Sequence, residues 1–208
     1  MLRVALTGGM ATGKSYVRTR LAARGVPSID SDALVHDLLK PGTAVTRAIA
    51  ARFGEAVIGA DGGVNRPARG RVVFADAAAR QALERIVHPE VYARIAAWMA
   101  SQAAAGAAMA VADIPLLYET AHEGDFDCVI VAACDPEEQV RRAVTRGGLP
   151  EAEVRARLAA QWPIGRKAAR ADIVIRTDGS FAETDRQVDE AVRALGHLRG
   201  RVLRRDGP

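Results

Sequence analysis

Short apolar runs alternate along this chain with stretches whose apolar residues recur at helical spacing. Residues 3–7 form an apolar run that ends in glycines and read as a buried strand. Residues 14–24 carry helical periodicity and stop at Gly25. A second short strand is expected over 26–30, then a short helix over 32–39 stopped by Pro41-Gly42, a helix over 43–53 ended by Gly54, and a loop at 59–63. Residues 66–102 read as one long helical stretch in which Pro89 starts a new helix or kinks the existing one. Three further strands follow at 109–113, 128–133 and 172–175. Helices are expected at 136–146 and 150–160, separated by Gly147-Gly148, and at 182–198; residues 199–208 read as a loose basic end. Strands alternating with helices imply an α/β fold with a parallel sheet covered on both faces. Residues 53–108 carry no strand and read as a helical insertion beside that sheet.

Composition narrows this picture. At roughly 150 residues per domain, 208 residues make one domain, or one with a sizeable insertion. The chain has 26 arginines, three lysines (Lys14, Lys40, Lys167) and 42 alanines, so most arginines are compositional background and a retained lysine is notable. The net charge of +4 is small and spread out, which weighs against a nucleic-acid partner. The most apolar stretch, 93–112, is broken by Ser101, Gln102 and Gly106 and is mostly alanine, too weakly apolar for a membrane. The first apolar run is too short for a signal-peptide core. Cys128 and Cys134 fall on one strand, with Cα atoms roughly 20 Å apart, far beyond disulfide reach. A cytoplasmic, reduced protein with no membrane segment is expected.

The strongest chemical signal is Gly8-Gly9-Met10-Ala11-Thr12-Gly13-Lys14-Ser15, which fits the phosphate-loop pattern G-x-x-x-x-G-K-[ST] between a strand and a helix. Its glycines let backbone N–H groups turn inward around phosphate oxygens, and the positive end of the following helix faces the anion. Lys14 would reach the β- and γ-phosphates of ATP, and the Ser15 hydroxyl would bind Mg²⁺. A compact ammonium suits this place better than a guanidinium. The loop alone does not name the phosphate's destination. A guanine-nucleotide switch needs D-x-x-G after the third strand and an N-K-x-D clamp; Asp113 is followed by Ile114-Pro115-Leu116, and no N-K-x-D occurs.

A small-molecule kinase needs a base beside the acceptor hydroxyl and an arginine-bearing lid. Asp30 and Asp32 close the second strand, on the rim where ligands bind in open parallel sheets. One carboxylate there would accept the hydroxyl proton; the other reading is a helix N-cap, with Asp30 capping and Asp32 working. Arg142 and Arg146 are four residues apart on one helix face and read either as a solvated basic face or as a phosphate clamp. Asp113 would order a metal-bound water or serve as a cap or a buried hydrogen-bond partner, and Glu119 would bind its own backbone or close an ion pair. Arg166, Lys167 and Arg170 make a second basic group, one of which is expected to approach the nucleotide. Trp98 and Trp162 read as packing residues.

Taken in order, these motifs resemble those of the dephospho-CoA kinase family over residues 4–179. The family's L-T-G-G opening stands at Leu6 to Gly9, and its D-A-D motif appears as Asp30-Ser31-Asp32. L-E-x-I-V-H-P stands at Leu83 to Pro89 and D-I-P-L-L-x-E at Asp113 to Glu119. The late pattern appears as Gln139, Arg142, Arg146, Gln161 and Ala171-Asp172-Ile173-Val174-Ile175. The resemblance implies a P-loop kinase with a five-stranded parallel core (1–52, 109–139, 171–198), a helical CoA-binding insertion (53–108) and a lid (140–170). It implies transfer of the ATP γ-phosphate to the 3′-hydroxyl of dephospho-CoA, with Mg²⁺ as cofactor and Asp32 as general base. Lys14, Arg142 and Arg146 would serve the transfer, and residues from Gly8 to Tyr16 would bind the nucleotide. Asp32, His88, Pro89, Leu116 and Glu119 would lie on the acceptor side. Against the family pattern, Tyr16 replaces Thr, Ser31 Ala, Asn65 Asp, Gly147 Asp and Thr177 Asn. A kinase for another small hydroxyl acceptor, or a non-catalytic nucleotide switch, is the alternative.

Overall fold

The computed structural model describes residues 1–205. Five strands form one sheet in the order β2-β3-β1-β4-β5: β1 (Leu2–Thr7), β2 (Ser28–Asp30), β3 (Met109–Asp113), β4 (Cys128–Ala133) and β5 (Ile173–Arg176). β1 is parallel to β3 and β4, and β4 is parallel to β5. All six residues of β4 are buried, which is why it reads as an unbroken apolar run instead of an alternating one. On β1, Leu2, Val4 and Leu6 share one core with Val17 and Leu21 of α1 (Lys14–Ala22) and with Val188, Ala191 and Leu195 of α9 (Phe181–Arg205). Each such side chain contributes about 1.5–3 kcal/mol by leaving water. Leu6 stands opposite Asp113 on β3 and Ile130 on β4. The register therefore brings the end of β3 to the carboxyl edge where the phosphate loop begins. Cys128 and Cys134 are free, buried thiols, and burial pushes Cys128 up to about 12.

Contacts divide the chain into two compact units, Met1–Ile29 with Met99–Pro208, and Asp30–Trp98. The second unit holds α2 (Ser31–Leu38), α3 (Ala44–Phe53), α4 (Arg66–Ala75) and most of α5 (Ala77–Ala104). It opens at Asp30 because α2 packs on α3 and α3 on the turn at Glu55–Val57. The Thr43 hydroxyl caps α3 by accepting from the Thr46 N–H at 3.0 Å. An isolated bridge between Ile58 and Val64 closes the glycine loop.

Three expectations are corrected. The long helical stretch breaks at Asp76, not at Pro89, which lies inside α5. Asp76 Oδ1 accepts the Ala78 N–H at 2.8 Å, a side-chain cap that starts a new helix, whereas Pro89 merely removes one i→i−4 bond from a continuous helix. The last helix does not stop at residue 198 but runs through Arg205, so the loose basic end is helical there; residues 206–208 lie outside the described residues. A short helix not expected, α8 (Ile164–Ala168), follows α6 (Pro136–Gly147) and α7 (Glu151–Ala159).

Candidate active site

The segment from Gly8 to Gly13 is held in one conformation by its own packing. The Thr12 hydroxyl donates back to the Gly9 carbonyl at 2.9 Å. Ala11 and Gly13 both take left-handed backbone angles, φ 60° and 79°, and Gly13 leads directly into α1. This arrangement turns successive N–H groups toward one side and makes an anion cradle. Gly8 is required by close approach: a Cβ there would stand 2.7 Å from the backbone oxygen of Ala132 on β4. A Cβ on Gly9 would stand 2.7 Å from Gln139 Nε2.

Two glutamines grip the loop at Met10. Gln139 Nε2 donates to the Met10 carbonyl at 2.8 Å, and the Met10 N–H donates to Gln161 Oε1 at 3.2 Å. One comes from α6 and the other from the segment after α7, so the region that carries the two arginines is bonded to the phosphate loop.

The floor of the loop is a buried carboxylate. Asp113, at the end of β3, is 1% exposed and forms ion pairs with Lys14 and, at 3.4 Å, with Arg18 Nε. Lys14 is thereby directed toward the β3 side of β1. Of the sequence readings of Asp113, the buried hydrogen bond is the one formed, with the Lys14 ammonium as donor.

A second buried network lies beneath. Lys167 is completely buried; its ammonium lies 2.8 Å from Glu119 Oε1 and donates to the Pro115 carbonyl at 2.9 Å. Burial drives the Lys167 ammonium below the usual lysine range, and the Glu119 carboxylate works against that shift. The Pro115 carbonyl also accepts the Thr7 hydroxyl at 3.2 Å, and Glu119 Oε1 accepts the Trp162 N–H at 2.8 Å. Thr7 immediately precedes the loop and Gln161 precedes Trp162, so one lysine ties together segments that border the loop on both sides. Glu119 thus closes an ion pair, the second of its two sequence readings. Trp162 stacks on Tyr118, with ring centroids 5.7 Å apart, and carries the Arg166 guanidinium 3.5 Å from its ring centroid.

Arg142 is half-buried. It donates through Nε to Glu138 at 2.6 Å, and through its two terminal nitrogens to the hydroxyl and carbonyl oxygens of Thr177 at 3.1 and 2.6 Å. Arg146 is exposed on the same helix, and Leu116 is exposed on the turn after β3. In the other unit, Asp30 Oδ1 accepts the N–H groups of Asp32 and Ala33 at 2.9 and 3.4 Å and so caps α2, while Asp32 is exposed in its first turn. His88 and Pro89 lie in the middle of α5. Sequence reasoning gave Lys167 only a place in a basic group. A lysine retained in an arginine-rich chain was the available signal of its burial.

The family model for dephospho-CoA kinase matches residues 2–183. A curated relative from Anaeromyxobacter dehalogenans, a dephospho-CoA kinase, is 44% identical over 200 residues, covering 96% of this chain and 95% of its own. The chain belongs to the dephospho-CoA kinase family. Among solved structures, a Thermus thermophilus protein superposes with a TM-score of 0.76 at 35% identity, covering 93% of this chain and 96% of its own. The Campylobacter jejuni dephospho-CoA kinase shares the fold, with a TM-score of 0.71 at 24% identity over 94% of this chain and 97% of its own. In this dephospho-CoA kinase family member, two departures from the family pattern have defined partners. The Thr177 hydroxyl donates to the Thr12 carbonyl at 2.7 Å, and the Tyr16 hydroxyl donates to Asp185 at 2.9 Å.

Proposed function

We propose that this protein transfers the γ-phosphoryl group of ATP to the 3′-hydroxyl of dephospho-CoA, giving CoA and ADP. The observation that carries the reading is a formed phosphate loop, with Lys14 drawn to a buried Asp113, in a chain of this family. Lys14 and the loop amides hold the triphosphate and neutralise charge on its β- and γ-oxygens. Asp32 takes the proton from the 3′-hydroxyl as that oxygen bonds to phosphorus and the bond to the ADP oxygen breaks. Support for Asp32 over Asp30 comes from the cap: the Asp30 carboxylate already accepts two backbone N–H groups of α2. Arg142 and Arg146 donate to the transferring group and help exclude water. Leu116, Glu119, His88 and Pro89 belong to the acceptor side in this reading; Glu119 acts through Lys167 and the Trp162 backbone.

Mg²⁺ fits the donor chemistry. Ser15 offers an exposed hydroxyl directly after Lys14, and Asp113 a carboxylate beside it, both hard oxygen donors. Held through the Ser15 hydroxyl, Mg²⁺ would supply positive charge that offsets the charge of the phosphates. Among the described residues no helix is long and apolar enough to cross a membrane, and we place the reaction in the cytoplasm with no nucleic-acid partner.

The test is ADP release from Mg-ATP with a panel of acceptors: dephospho-CoA, nucleosides and gluconate. Release that depends on dephospho-CoA is expected. Release driven equally by another acceptor, or by water alone, contradicts the proposal.

A further inference from the structure

A loop that offers its N–H groups to an anion must turn carbonyl oxygens the other way, and those oxygens need partners of their own. At the tip of this loop the partners are two glutamine side chains. Between them they hold both backbone groups of Met10.

The peptide planes on either side of Met10 are pinned separately. The plane between Gly9 and Met10 is held at its carbonyl by the Thr12 hydroxyl, at 2.9 Å, and at its N–H by Gln161 Oε1, at 3.2 Å. The plane between Met10 and Ala11 is held at its carbonyl by Gln139 Nε2, at 2.8 Å. In a trans peptide the C=O and N–H point opposite ways, so drawing the Met10 carbonyl to Gln139 turns the Ala11 N–H away from that side chain. The same plane sets the φ of 60° at Ala11, a left-handed angle that a residue with a Cβ keeps only under outside constraint. A carbonyl only accepts and an N–H only donates, so each glutamine amide has one possible orientation.

Both glutamines are themselves fixed. Gln139 is 4% exposed on α6, and its Nε2 comes so near Gly9 that only a residue without a Cβ fits there. The Gln161 N–H donates to the Leu158 carbonyl at 3.0 Å, and the next N–H, that of Trp162, is held by Glu119. Glu119 is in turn paired with the buried Lys167. The side chains of Met10 and Ala11 pack on the small core that Val140 and Ala143 of α6 make with Val154 of α7.

We infer that Gln139 and Gln161 are positioning residues for phosphate binding: they fix both peptides of Met10, so that the Ala11 N–H is presented to the triphosphate before it arrives. They act through the loop backbone and touch no reacting atom. A neutral amide suits both places, because it supplies a donor in one and an acceptor in the other without adding charge beside a polyanion. The buried Lys167–Glu119 pair gains a role here as the anchor of Gln161. The inference rests on reading the loop as an ATP site.

The test combines isothermal titration calorimetry of the full chain with Mg-ATP, no acceptor being present, and hydrogen exchange at the Met10 N–H read by NMR without nucleotide. Gln139→Met and Gln161→Met keep the length of the side chain and remove the amide. Each is expected to weaken ATP binding by about three- to ten-fold. Gln161→Met is also expected to speed Met10 exchange by about tenfold or more, and Gln161→Glu, which keeps an acceptor, to leave it slow. A merely structural glutamine would lower the melting temperature and leave the affinity of the folded chain unchanged. Unchanged ATP affinity in either methionine variant, or Met10 exchange that Gln161→Met does not alter, overturns the inference. A parent chain that does not bind ATP overturns the reading beneath it as well. Because no acceptor takes part, a failure of dephospho-CoA to be phosphorylated would count against the proposed reaction and leave this result standing.

Discussion

Asp113 and Asp32 are both aspartates at the carboxyl ends of strands, and the fold treats them in opposite ways. Asp113 ends β3 nearly without solvent exposure and is ion-paired to Lys14 and Arg18. Asp32 stands two residues beyond the last residue of β2, exposed in the first turn of α2, whose cap is supplied by Asp30. A buried carboxylate ion-paired to two cations serves as their anchor. An exposed one can be approached by an acceptor hydroxyl. In the proposed reaction two residues of one type would divide the labour: Asp113 anchors Lys14, and Asp32 would take the proton.

That contrast can be broken by substitution, and stability changes should rank as follows. Asp113→Asn removes the buried carboxylate that Lys14 and Arg18 both face and should cost about 3 kcal/mol in urea unfolding. A loss under about 1 kcal/mol would mean that Asp113 is not an anchor. Lys167→Met strips the cation from Glu119, whose side chain is 15% exposed, and should cost about 3 kcal/mol by the same measurement. Lys167→Arg should not rescue it, since a planar fork replaces a compact ammonium in a fully buried site. Full rescue by arginine would show that charge alone is needed. Ala11→Gly relieves a left-handed backbone angle in the loop and should raise stability by about 0.5–1 kcal/mol, read as a higher melting temperature. A lower melting temperature would show that the angle is not strained. Asp32→Asn, at an exposed position, should move stability by less than about 0.5 kcal/mol. A larger loss would put Asp32 among the structural residues with Asp113.

The parts of this molecule legible in the sequence are those whose physics is local. β1, β3 and β4 are apolar runs because both faces of the sheet are covered. The phosphate loop is legible because glycine and lysine spacing is dictated by backbone approach to an anion. The Asp30 cap was one of two readings and was settled only by its hydrogen bonds. What the sequence concealed depends on distant partners. In the sequence Lys167 is one of three neighbouring cations, one of which is expected to approach the nucleotide, and only the fold brings Glu119, 48 positions away, and the Pro115 carbonyl to it. The helix break at Asp76 lost to Pro89 in a reading by residue type, because proline is the stronger breaker on average but here an aspartate cap decided the boundary.

The most direct test compares the parent chain with Asp32→Asn in the initial rate of ADP formation from saturating Mg-ATP and dephospho-CoA, alongside ATP affinity measured by calorimetry. The account predicts turnover lower by about 10²–10⁴ with ATP affinity unchanged. An undiminished rate would contradict it.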